Sequence, residues 1–144
     1  MSRLSPVTKF AMPDPVPVLF ANEAFYVAFA GRNLQAMSEV WSRSRPVTCI
    51  HPGASTLQGR DEVIRSWRAI LSNPASPQII CRNATAHLFG DVAYVLCWEQ
   101  IQDAFLIATN IFAREDGQWR MVHHQASPAP PPGELLTPPA GPLQ

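Results

Sequence analysis

Between positions 18 and 31, Leu19, Asn22, Phe25, Tyr26 and Phe29 recur at three- and four-residue spacing, which predicts a helix that Gly31 ends. Asn33 is placed to cap a second, shorter helix whose stripe is Leu34, Met37, Val40 and Trp41. Residues 46–51 form a short β-rich run that Pro52-Gly53 turns away. Asp61 and Glu62 then sit where carboxylates suit the first turn of a third helix, whose apolar face is Ile64, Trp67, Ile70 and Leu71 and which Asn73-Pro74 stops. From Gln78 onward the pattern changes to strands at 79–89, 92–102, 105–114 and 119–126, separated by Gly90-Asp91, a turn near Asp103, and Asp116-Gly117. Three helices followed by an antiparallel meander predict an α+β fold, with the helices covering one face of the sheet.

Register turns this outline into a candidate site. Asp-Gly between alternating strands signals a two-residue hairpin, and loop length sets pairing, so Glu115 should face Gln118. Counting back puts Phe112 opposite Met121, Asn110 opposite His123 and Ala108 opposite Gln125, all on the Trp119 face. Thr109, Ile111, Arg120, Val122 and His124 fall on the other face. A tight Gly90-Asp91 turn pairs Leu88 with Ala93, Ala86 with Val95 and Arg82 with Glu99. The turn near Asp103 has no diagnostic dipeptide and leaves the link between the hairpins open by one residue. The favoured register sets Cys97 beside Asn110 and Glu99 near Ala108, and a slip of one inverts the faces. One sheet face thus combines Arg82, Cys97, Glu99, Asn110, His123 and Gln125 with Phe112, Met121 and Trp119. A mostly apolar cavity with a few convergent polar groups has this composition, while a buried structural network is the competing reading.

On this reading His123 is the candidate general acid or base, because imidazole titrates near neutral pH and Asn110 stands opposite to orient it. Glu99 is the second candidate, as a base or as the carboxylate that orients His123, unless Arg82 holds it as an ion pair. Cys97, Asn110, Gln125, Phe112 and Met121 line the same face. His51 ends a strand near the expected mouth, and Tyr26, Trp41 and Trp67 project from the helices as core residues and pocket walls, Tyr26 with a polar handle. Metal binding would need His51, Glu99 and His123 to converge from three separate elements, and no short ligand motif supports it; neither a metal nor a cofactor is expected.

Composition narrows the remaining classes. Eleven basic and eleven acidic residues cancel, which argues against nucleic acid and anionic membrane as partners. Apolar runs stop well short of the roughly 20 residues of a membrane span. Three cysteines without metal-site spacing, and a start without a signal-peptide apolar core, fit reduced thiols in the cytoplasm. Eleven of the 15 prolines fall in 1–17 and 128–144, which read as extended arms around one folded domain at 18–127.

The order of Gly59-Arg60, Gly90-Asp91-Val92-Ala93, Thr109-Asn110-Ile111-Phe112 and the closing Asp116-Gly117-Gln118-Trp119-Arg120-Met121-Val122-His123 resembles the SnoaL-like branch of the nuclear transport factor 2-like superfamily. The resemblance covers the whole predicted domain. It implies a cone: a curved antiparallel sheet wrapped around about three N-terminal helices, often dimeric through the outer sheet face, with an internal pocket. Members include isomerases, polyketide cyclases, dehydratases and non-catalytic association modules, so fold leaves function to the site. Catalytic members commonly carry an Asp after the second helix, where this chain has Ser42-Arg43-Ser44-Arg45, and the final strand's commoner second His is Gln125. The expectation is therefore a small-molecule pocket, with acid/base chemistry of isomerase, dehydratase or hydrolase type; a non-catalytic dimeric interaction module is the alternative. A homodimer would form through Thr109, Ile111, Val122 and His124.

Overall fold

The computed structural model describes residues 13–131 and Gly133. Most of the two expected arms lies outside the described residues. Helix α1 (Val16–Ala30) begins behind Asp14, whose Oδ1 accepts the Val16 N–H at 3.0 Å, and ends where Gly31 N–H bonds Val27 O. Its inner side buries Val18, Asn22, Phe25, Tyr26 and Phe29. Helix α2 (Leu34–Val40) is capped by Asn33, which accepts from Ala36 N at 3.0 Å. Strand β1 (Thr48–Ile50) and the two-residue β2 (Leu57–Gln58) precede α3 (Arg60–Ser72). Arg60 opens α3 and reaches back to Ser38 O, Trp41 O and Ser42 O at 2.7, 2.8 and 3.2 Å, tying it to the end of α2. One guanidinium thus satisfies three orphan carbonyls at a helix terminus.

Strands β3 (Ile80–Phe89), β4 (Val92–Ile101), β5 (Ala104–Glu115) and β6 (Gln118–Pro128) form the expected meander. The sheet has six strands in the order β2-β1-β6-β5-β4-β3; β1 runs parallel to β6, whereas every other pair is antiparallel. The helices lie on its inner face, where Phe25, Met37, Trp41, Trp67, Phe112 and Met121 are almost completely buried. Truncating one of the aromatic members to Ala should cost about 3–5 kcal/mol, from lost transfer energy and the cavity left behind.

Two bulges govern which side chains share the interior. Asp116 (φ 52°) and Gly117 (φ 78°) make the two-residue turn that positive φ at both positions requires, and Glu115↔Gln118 and Phe112↔Met121 pair as expected. The ladder then advances one residue on β5, to Ile111, and two on β6, to His123. The extra residue, Val122, reverses every face beyond it. Asn110 therefore pairs with His124 and Thr109 with Gln125, which corrects the expected Asn110–His123 and Ala108–Gln125 pairs.

In β3 the shift lies between Arg82 and Thr85, where Asn83 has φ 54°. Leu88↔Ala93 and Ala86↔Val95 hold, but Cys81 instead of Arg82 stands opposite Glu99. The β4–β5 turn lies one residue earlier than expected, with Ile101 paired to Ala104 and Gln102 at φ 54°. This moves Val95 opposite Asn110 and Cys97 opposite Ala108, two residues from the expected alignment and so on the same face.

Candidate functional site

The bulge at Val122 exchanges the two histidines. His124 is buried on the inner face, with its Nδ1 2.6 Å from Asn110 Oδ1. His123 is half-buried on the outer face, its Nδ1 2.6 Å from Thr48 Oγ1 on β1. Gln125 is exposed beside it. His123 and Gln125 therefore leave the candidate site, and His124 enters it and leaves the expected dimer face.

A continuous polar chain crosses the interior from β6 to β4. Asn110 Nδ2 donates to Asn22 Oδ1 at 2.8 Å and to Tyr26 Oη at 3.2 Å. Tyr26 donates in turn to Glu99 Oε2 at 2.5 Å, and its oxygen also lies 3.3 Å from Cys97 Sγ. Asn22 and Tyr26 reach the network because they lie four residues apart on one face of α1. Arg82 instead bonds Gln100 at 2.8 Å, so the expected Arg82–Glu99 ion pair is absent and Tyr26 is the partner of Glu99.

Burial sets the charges. It pushes the Glu99 carboxyl up to about 6, opposed by the Tyr26 hydrogen bond. It pulls His124 down to about 3, helped by His51 and His123, so the ring is neutral across the physiological range. The Tyr26 hydroxyl is raised by burial and by Glu99, and stays protonated. Burial also pushes the Cys49 thiol up to about 12, which makes it a poor nucleophile.

Next to Glu99 and His124 is a cavity of about 230 Å³. Its walls come from α1 (Phe25, Phe29), α3 (Trp67, Ile70), the segment Ser76, Pro77 and Ile79, His51 and Pro52 after β1, and Ile101 and Leu106 at the β4–β5 turn. Of the expected site residues, His51, Trp67 and Glu99 line it. Tyr26, Cys97 and Asn110 stand behind it in the network. Trp41, Phe112 and Met121 are fully buried away from it, toward the Asp116-Gly117 end of β5 and β6. His51, Glu99 and His123 do not converge, since His123 faces outward. A wider groove of about 530 Å³ runs along the outer side of α1 past Phe20, Ala24 and Val27 to the Gly117–Arg120 turn. It is larger but open to solvent, and its polar residues Glu39, Gln118 and Arg120 lie at the surface, Arg120 already bonded to Glu39 O, so the inner cavity is the candidate site.

Sequence reasoning missed His124, Asn22 and the 76–79 wall. The first was detectable: after Met121 the inward parity assigns His123, Gln125 and Ser127 to the core and Ala126 to solvent, a phase error in the apolar alternation that marks an extra residue.

The family model of the SnoaL-like domain matches residues 18–131. The chain belongs to this family. Among solved structures it is similar to a protein proposed to be a dehydratase of the NTF2-like family from Streptomyces avermitilis, at 30% identity and TM-score 0.73, covering 79% of this chain and 95% of that one. It is also similar to a proposed calcium/calmodulin-dependent protein kinase type II association domain from Thiobacillus denitrificans ATCC 25259, at 35% identity and TM-score 0.63, covering 76% and 93%. A protein of Caulobacter vibrioides with a cystatin-like fold, at 14% identity and TM-score 0.69, shares the fold, covering 81% of this chain and 89% of that one. Among curated proteins, F-box protein SKIP8 of Arabidopsis thaliana is 29% identical over 112 residues, 76% of this chain. The match spans about half of that relative, 48% of its length. No helix among the described residues is long and apolar enough to cross a membrane. This SnoaL-like domain therefore has the family's α+β cone, with its own set of polar residues at the pocket.

Proposed function

We propose that this domain binds a compact, partly apolar small molecule in the inner cavity and that Glu99 exchanges a proton with it. The observation that carries this reading is the pairing of a 230 Å³ apolar cavity with a carboxyl held near neutrality at its wall. A group that titrates close to the working pH can both take and return a proton, which suits isomerase- or dehydratase-type chemistry. Tyr26 fixes Oε2 and is itself fixed by Asn110, so Oε1 is the oxygen left for a ligand. His124, neutral throughout, serves as a hydrogen-bond acceptor and orients the ligand. The similarity to a proposed dehydratase of the NTF2-like family supports the same class.

The test is binding and deuterium exchange. Compact molecules that bind wild type saturably should exchange their acidic hydrogens with D2O in its presence. Glu99→Gln should slow that exchange by about 100-fold or more. Equal exchange in the two proteins would remove Glu99 from the role.

A second reading is favoured by the outer sheet face, where Leu96 and Ile107 are more than a third exposed beside Thr109, Ile111, Val122 and His123. On this reading the face pairs with a second copy and the domain works as a dimeric module, the class suggested by the association-domain relative. Ile107→Asp should convert a dimer into a monomer in light scattering at micromolar concentration. A wild-type monomer under those conditions would contradict it.

A further inference from the structure

The direction of each hydrogen bond around the cavity follows from the donors available. Asn110 spends its amide hydrogens on Asn22 and Tyr26, so its Oδ1 accepts, and the contact from His124 is a donation from Nδ1–H. The neutral His124 ring then keeps a lone pair on Nε2, which has no partner among the described residues. Tyr26 spends its hydrogen on Glu99 Oε2. Ser66 donates to Val63 O at 2.7 Å, so His51 Nε2–H donates to Ser66 at 3.0 Å and its Nδ1 lone pair faces the Cys49 thiol, 4.0 Å away. Ser76 donates to Ile70 O at 2.7 Å. The Trp67 indole N–H has no partner among the described residues, but its nitrogen is buried with no surface open to the cavity.

Among the described residues the side-chain atoms left to the cavity are therefore acceptors, Glu99 Oε1 and His124 Nε2. No Lys or Arg among the described residues lines it, and the rings of Phe25, Phe29 and Trp67 form its walls. An anion would meet a carboxylate with no cation to balance it. A ketone or ester would find no donor opposite ionised Glu99. A hydrocarbon would leave Glu99 and His124 both desolvated and unpaired.

We propose that the ligand is a compact alkyl- or arylalkylammonium ion, its N–H groups bonded to Glu99 and His124 and its apolar body against Phe25, Phe29 and Trp67. This rests on the cavity being a ligand site and adds the ligand's chemical class. An ammonium supplies both the hydrogens the acceptors lack and the charge that a buried carboxylate lacks. Aromatic rings add attraction for the same cation.

The experiment is calorimetric titration of the full chain at pH 8 with four molecules of similar shape: benzylamine, benzyl alcohol, acetophenone and benzoate. Benzylamine, present as its cation, should bind wild type at least about tenfold tighter than benzyl alcohol. Glu99→Gln should remove most of that preference, weakening benzylamine by at least about tenfold more than benzyl alcohol. The wild-type series stands without the variant. Benzyl alcohol, acetophenone or benzoate binding as tightly as benzylamine overturns the ammonium assignment and leaves the cavity as a ligand site. Failure of all four to bind at millimolar concentration overturns the ammonium assignment and the pocket reading together.

Discussion

His123 and His124 are adjacent in the chain and occupy opposite sides of the sheet. His124 is packed against the rings of Phe25 and Trp67, with centroids 4.8 and 5.9 Å away, and donates to a buried amide that is itself fixed by α1. His123 stands half-exposed with a threonine on β1 as its partner. The inner ring is held neutral by desolvation, and the outer one is half-buried, so the same side chain is an acceptor in a dry pocket on one face and a partner of Thr48 at the surface on the other. One inserted residue, Val122, makes that assignment. Local backbone geometry therefore decides which residues are available for chemistry.

The largest test of this contrast is acid. A histidine whose folded pKa is lowered from 6.5 to about 3 contributes stability above pH 6.5 that is lost as pH falls toward 3. The loss is on the order of 4 kcal/mol at its full extent. Glu99 acts in the opposite direction: its folded pKa is raised from 4.5 to about 6, so the folded state gains about 2 kcal/mol as pH falls from above 6 to below 4.5. Net stability should still decline below pH 6, because the His124 contribution is larger. In urea midpoints measured across pH 4–8, His124→Gln should flatten the decline and His123→Gln should leave it in place. The same slope in all three proteins would break the contrast.

Truncation comes next. His124→Ala opens a hole beside Phe25 and Trp67 and leaves Asn110 Oδ1 without its donor, for an expected loss of about 3 kcal/mol at pH 7. His123→Ala should cost about 1 kcal/mol or less. Comparable losses in chemical denaturation would show that the two faces are equally buried. A smaller effect of opposite sign is expected at Glu99. Glu99→Gln removes a desolvated carboxylate and should raise stability at pH 8 by about 1–2 kcal/mol, the mark of a residue retained for function over stability.

A deletion is the most informative about backbone. Deleting Val122 restores regular alternation from Met121 through His124, so both histidines keep their faces while the strand loses its bend. The expected cost is about 1–2 kcal/mol, and His124 should still not titrate above pH 5. Appearance of a titrating His124 in the deletion protein would mean that the bulge shapes the pocket as well as the register.

The helices and the meander were legible because each rests on a local signal: Asn33 as a cap, Asp61 and Glu62 in a first turn, Asp116-Gly117 as a hairpin. Glu99 and Cys97 were placed on the same side as Asn110 because the β4–β5 turn, one residue earlier than expected, displaced the pairing by an even number of residues. His123 and Gln125 were not, because a single-residue bulge has no residue signature as strong as Asp-Gly, and its only trace is the broken apolar phase after Met121. Arg82 failed for the same reason at Asn83. The parallel β1–β6 contact was beyond local reading, since it joins segments some 75 residues apart through Thr48 and His123.

The most direct test of the central claim is long-range ¹⁵N NMR of the histidine side chains while a saturably binding compact molecule is added. Binding in the inner cavity predicts that the His124 Nε2 resonance moves with saturation and that the His123 nitrogens stay where they were. Saturable binding that shifts His123 and leaves His124 unchanged would contradict the account.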